Sequence, residues 1–217
     1  EFRKYQAGGD IAPFVKAVEN LDKFRASVES LNGMNIGYLQ YLESRHWPAR
    51  DILRLHSRNA TQLDGWRIRF DPSEIGLKDN WQASETEWRD AAQIGTDSHW
   101  EKQPYGMKWK EENGCDYKGV GWYRVEFDLK NPALPHELVF GAVDGTATMY
   151  LNGRQIHFRP YPFNGDPNSW RASFTVPIPE QLLREKGNFL VVRVDKRIGL
   201  CGIWKPVFVV PSDKKGK

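Results

Sequence analysis

Two periodicities divide the chain. Ile11, Phe14, Val15, Val18, Leu21, Phe24, Val28 and Leu31 recur at the spacing of one helix face. Asp10 stands where an N-cap belongs, and Pro13 falls in the first turn, where its missing N–H costs little. Asn32-Gly33 breaks the stripe. Met34, Tyr38, Leu39, Tyr41 and Leu42 predict a second helical piece that ends before Pro48. Two short helices cannot enclose a core, so the stripe must be buried against something else. From Pro48 to Asp64 the residues are polar and mixed, the pattern of a connection.

From Trp66 the period becomes two. Trp66, Ile68 and Phe70 alternate with Arg67 and Arg69, and Tyr123, Val125, Phe127 and Leu129 with Trp122, Arg124, Glu126 and Asp128. Leu138–Val143 and Thr146–Leu151 flank Asp144-Gly145, which reads as a two-residue hairpin turn; Asn152-Gly153 reads as another before Arg154–Phe158. Ser173–Ile178, Phe189–Val194 and Val207–Val210 bring the count to about eight strands, joined by loops rich in Trp, Gly and Pro. No helices alternate with them, which disfavours a parallel doubly wound sheet. The pattern predicts an all-β, antiparallel jelly-roll β-sandwich with a short helical N-terminal appendage. The expected division is residues 1–62 as a helical lead-in or the tail of a preceding domain, 63–212 as the sandwich, and 213–217 as a basic tail.

Composition narrows the function. The chain has 217 residues, 40% hydrophobic and 27% charged, which suits a globular domain. Its 31 basic and 28 acidic residues are interspersed, so no cationic face for nucleic acid is expected. No apolar run reaches the ~20 residues of a membrane-spanning helix. The abrupt start at Glu1-Phe2, without a signal peptide, reads as part of a larger protein. Cys115 and Cys201 sit in Gly-rich loops, either bridged or free, and no His or second Cys lies at zinc-ligand spacing. Asn59-Ala60-Thr61 fits the glycosylation triplet, which matters only in a eukaryotic secretory setting.

Several phrases together resemble a known family. Trp66-Arg67-Ile68-Arg69-Phe70-Asp71, Trp81, Trp88-Arg89 and Trp100-Glu101 open the series. Gly121-Trp122-Tyr123-Arg124, Asn152-Gly153, Tyr161-Pro162-Phe163, Asn188–Val194 and Gly202-Ile203-Trp204 continue it. In this order they resemble the sugar-binding, galactose-binding-like jelly-roll domain of glycoside hydrolase family 2. The likeness runs from about Leu63 to Pro211. It implies an accessory module of a multidomain carbohydrate-active protein, with the two catalytic carboxylates on a separate (β/α)8 barrel. It also implies a periplasmic or extracellular setting, with carbohydrate and a neighbouring catalytic domain as partners. A structural calcium is open in such a jelly roll, with Asp144, Asp166 and Asn164 as donors of suitable hardness; no other cofactor is expected.

No catalytic motif offsets this. Glu85 with Glu87, and Glu111 with Glu112, lie in polar stretches as solvated charges, and no catalytic residue is expected. The five histidines are scattered without metal spacing. Nine Trp, eight Tyr and eleven Phe are the stronger signal. A sugar-binding face needs a flat ring for C–H faces and convergent polar groups for hydroxyls. Three regions supply both: Trp100, Tyr105 and Trp109; Tyr161, Phe163 and Trp170 with Arg159, Asn164, Asp166 and Asn168; and Asp195, Lys196 and Arg197 at a strand end. Trp109, Tyr161, Trp170, Asp195 and Arg197 are the expected carbohydrate contacts. The competing expectation is a purely structural domain, with Trp66, Trp122 and Trp204 packed between sheets or plugging their ends, and Trp81, Trp88 and Trp100 anchoring loops. In that case Asp195 pairs with Lys196, Arg197 or Arg124.

Overall fold

A computed structural model describes residues 10, 12–29, 60–85, 87–90, 119–196 and 202–212. The chain forms two compact units, Glu1–Asn59 and Ala60–Lys217. In the first, helix α1 spans Ala12–Glu29. Asp10 Oδ1 accepts a hydrogen bond from the Ala12 backbone N–H at 3.0 Å, satisfying one orphan donor of the first turn. The apolar stripe is only half covered: Phe14 and Val18 are buried, whereas Leu21 and Phe24 are exposed. The expected second helical piece lies outside the described residues.

The second unit is a two-sheet sandwich whose strands pair antiparallel throughout. Its strands are β1 (Thr61–Gln62), β2 (Arg67–Phe70), β3 (Arg89–Asp90), β4 (Gly119–Phe127), β5 (His136–Asp144), β6 (Thr146–Leu151), β7 (Arg154–Arg159), β8 (Phe174–Pro177), β9 (Asn188–Lys196) and β10 (Gly202–Pro211). One sheet runs β1-β10-β5-β8 and the other β3-β2-β4-β9-β6-β7. Thr61 and Gln62 pair with Val209 and Phe208 and so add a short strand ahead of residue 63.

Period-two alternation builds the core. Ile68, Tyr123, Val125, Leu190, Val192, Val194, Met149 and Leu151 face inward from the six-stranded sheet, against Leu138, Phe140, Val143, Val207 and Val209 from the other. Burying one such side chain stabilises the fold by roughly 1.5–3 kcal/mol.

The two expected hairpins part company. Asn152-Gly153 is one: both residues have positive φ, +51° and +81°, as a type I′ turn requires, and β6 pairs with β7. Asp144-Gly145 is not. β5 and β6 lie in different sheets, so the chain crosses between layers at Gly145, whose φ of +129° only glycine adopts readily.

Trp122 also departs from expectation. It projects from the outer face of the six-stranded sheet, not between the sheets, and is still fully buried. The reason is a strap, residues 71–88, that crosses this face. Asp71, only 2% exposed, accepts hydrogen bonds from Ile75 N at 2.9 Å and from Gly76 N and Trp122 Nε1 at 3.0 Å each. Trp81 then packs on Trp122 at 6.0 Å, and Trp122 stacks on Tyr150 at 6.1 Å. The Arg69 guanidinium lies 3.3 Å above the Trp81 ring and pairs with Glu87. Trp88 donates to the Ser84 carbonyl at 3.0 Å. Trp81 and Trp88 thus anchor a loop, as expected, and Trp66 joins the main core. The Trp204 side chain lies outside the described residues.

Candidate functional site

The expected contact residues fare differently. Trp109 and Arg197 lie outside the described residues, as do Trp100, Tyr105, Cys115 and Cys201. Tyr161, Trp170 and Asp195 are described, and all three are half-buried.

The Tyr161 backbone and Asp195 both neighbour Thr146. Thr146 stands opposite Asp195 in the β6–β9 register, and Val120 stands opposite Asp195 on the other side. The Tyr161 backbone N–H donates to Thr146 Oγ1 at 3.1 Å. The carboxylate at the end of β9 and the first residues of the loop after β7 therefore share one rim of the sheet. Asp195 Oδ2 lies 3.4 Å from Arg193 Nη2, the neighbour two residues back on the same strand face. Arg193 thus joins Lys196, Arg197 and Arg124, the partners expected from the sequence; Arg197 and the Lys196 side chain lie outside the described residues.

The loop, residues 160–172, folds on itself. The Tyr161 hydroxyl donates to the Pro167 carbonyl at 3.3 Å, and Phe163 N donates to Ser169 Oγ at 3.0 Å. Asp166 N donates to the Phe163 carbonyl at 3.0 Å across a turn with positive φ at Asn164 and Gly165. Asn168 N donates to Asp166 Oδ1 at 2.8 Å, and a short 3-10 turn, Ser169–Arg171, carries Trp170. Phe163 is 37% exposed at the loop tip.

Beneath the loop sits a residue that sequence reasoning treated as a polar loop neighbour. Arg159, the last residue of β7, is 1% exposed. Its Nη2 donates to the Ser169 carbonyl at 2.7 Å, and its guanidinium lies 4.5 Å from the Phe174 ring and 5.2 Å from Phe163. Phe174 stacks in turn on buried Phe140, centroids 4.9 Å apart and ring planes nearly parallel. Burial lowers the Arg159 pKa. The nearby His157 imidazole is held below its ordinary value, first by burial and then by Arg159. The one available signal was the Arg-Pro step closing an edge strand, and it does not distinguish a buried arginine from an exposed one.

Elsewhere the site chemistry is sparse. Glu87 is committed to Arg69, and Glu126 to Arg67 and Arg124. Burial lowers the Arg124 pKa, opposed chiefly by its hydrogen bond to Glu126. Among the described residues no group of three His, Cys, Asp or Glu could hold a metal ion, so the calcium expectation finds no such cluster there. No described helix is long and apolar enough to cross a membrane.

Sandwich, strap and rim define an antiparallel all-β accessory domain of the glycoside hydrolase family 2 type. Similar folds occur in solved structures of Ruminococcus gnavus beta-glucuronidase. The crystal structure aligns with a TM-score of 0.54 at 19% identity, over 70% of this chain and 28% of that one. Its complexes with uronic isofagomine and with D-glucuronic acid give TM-scores of 0.55 and 0.53 at the same identity and 70% coverage, over 28% and 29% of those chains. The chain belongs to the family described as the beta-galactosidase second all-beta domain, whose model matches residues 83–197. It spans under a third of the length of the glucuronidase chains that it matches. No curated protein matches it.

Proposed function

We propose that this chain is a non-catalytic accessory module of a larger glycoside hydrolase and that it contacts carbohydrate at the rim shared by Tyr161, Trp170 and Asp195. Trp109 and Arg197 are further contacts in this reading, and the module works in the periplasm or outside the cell beside a catalytic domain. The observation that carries it is the convergence at Thr146: one hydroxyl engages the Tyr161 backbone while facing Asp195 across the ladder. Half-buried Tyr161 and Trp170 of the loop would supply the flat surface, and half-buried Asp195, across the ladder from the residue that holds the loop's start, the directional acceptor that a sugar needs.

Calorimetric titration of the 217-residue chain with methyl β-D-galactopyranoside and methyl β-D-glucuronide tests the contact. Binding of either, weakened by Asp195→Ala, supports it; no heat with either glycoside overturns it. Turnover of a chromogenic glycoside, abolished by one carboxylate substitution, would overturn the non-catalytic part.

A second reading is structural support of a neighbouring domain. Ile75, Leu77 and Phe158 are 41%, 52% and 53% exposed, apolar surface that suits a docking face. Ile75→Ser/Leu77→Ser in the full-length enzyme would then lower its Tm without changing glycoside affinity of the isolated chain.

A further inference from the structure

Arg159 is a side chain whose burial the hydrogen bonds of the fold do not account for. Arg159 is buried to 1% exposure, yet its Nε and Nη1 make no hydrogen bond among the described residues. Burial is the cause of its lowered pKa, with no carboxylate opposing it. A buried cation with a single hydrogen bond costs free energy, and an apolar residue of the same length often serves stability as well or better. Its contacts point to a different role. Nη2 grips the Ser169 carbonyl, next to Trp170, and Ser169 Oγ holds Phe163 N in turn. The guanidinium lies 5.2 Å from the Phe163 ring of the loop and 4.5 Å from the Phe174 ring of β8, and Phe174 stacks on Phe140 in the core. This stack joins the loop's far half to the sandwich, while Thr146 joins its near half.

We infer that Arg159 is the positioning residue of the carbohydrate rim: it touches no sugar, and it fixes the loop that presents Tyr161 and Trp170. The inference rests on the proposed sugar contact for its consequence, but its structural half can be measured without a ligand. Arg159→Met keeps the length and the apolar stem and removes the planar donor and the charge. The expected result is a Tm unchanged within about 2 °C or raised. Backbone amides of residues 161–171 should exchange at least about tenfold faster, with those of β9 unaffected. Affinity for whichever of the two methyl glycosides binds the wild type should fall at least about tenfold, and Arg159→Lys should recover part of it.

Unchanged exchange in the loop overturns the inference. So does a Tm that drops by several degrees with exchange quickened throughout the sandwich, which would make Arg159 an ordinary stabilising residue. If the wild-type chain binds neither glycoside, the sugar contact fails, and loop exchange still decides whether Arg159 sets the loop.

Discussion

The strap over the six-stranded sheet and the loop after β7 are both rich in aromatic residues, and they are built in opposite ways. In the strap, Trp81 is 5% exposed on top of a Trp122 that is fully buried, and the Asp71 carboxylate spends three hydrogen bonds on holding the turn closed. Between β7 and β8, Tyr161 and Trp170 remain half-exposed and Phe163 stands at the tip. Beneath that loop, besides its own internal hydrogen bonds, lies a buried cation, Arg159, with two donor nitrogens that have no hydrogen-bond partner among the described residues. Aromatic content alone therefore does not mark a binding surface. Rings that close over each other are scaffold; half-exposed rings above a costly anchor are the place to look for a ligand.

Breaking the strap should have the largest effect. Trp122→Ala removes a fully buried indole, its stacking on Tyr150 and its bond to Asp71. A loss of about 3–5 kcal/mol is expected in urea unfolding, with β-sheet content retained if the chain still folds. A loss under about 1 kcal/mol would mean that the strap is not part of the cooperative fold.

Asp71→Ala should follow, at about 2–4 kcal/mol, because three donors lose their acceptor and two of them are buried. Gly76→Ala should act through the same knot: a Cβ there would lie 2.7 Å from both Asp71 Oδ2 and Trp122 Nε1. About 1–3 kcal/mol is expected, and combined with Asp71→Ala the two should be clearly less than additive. Additivity would separate the turn from the indole.

The loop should respond the other way. Trp170→Ala is expected to weaken glycoside binding by roughly tenfold while costing stability less than about 1 kcal/mol. Equal losses of stability and binding would erase the contrast between the two regions.

The smallest effect concerns pH. The His157 ring stacks on Phe174 at 6.3 Å, and burial, then Arg159, lowers its pKa. Between the lowered folded value and the unfolded value of about 6.5 the unfolded chain binds the extra proton, so stability rises with pH there. That contribution is present above about pH 6.5 and lost as pH falls below it. Thermal scans at about pH 7.5 and 5.5 should show a smaller decrease for His157→Gln than for wild type. A larger decrease in the variant would reverse the assigned sign.

Local signals were legible in the sequence, and signals made by distant residues were not. Helix α1, the strand alternation and the Asn152-Gly153 turn each depend on neighbours a few positions apart. The contact of Asp195 with Arg193, two positions back on the same strand face, is as local as these. The inward set from Tyr123 to Phe127 was legible, but the burial of the outward Trp122 depends on Asp71, fifty-one residues earlier. Asp144-Gly145 carries the residues of a hairpin and makes a crossover, because the layer that β6 joins is decided by β9. In the proposed rim, Tyr161, Trp170 and Asp195 were chosen for their chemistry, whereas Thr146 and Arg159 enter only through register and burial.

The most direct measurement is an amide chemical-shift map of the 217-residue chain titrated with methyl β-D-galactopyranoside and methyl β-D-glucuronide. Sugar contact at the rim predicts saturable shifts at Thr146, across residues 161–171 and at Asp195, with the strap from Asp71 to Trp88 silent. No shifts with either glycoside, or shifts confined to the strap, would contradict it.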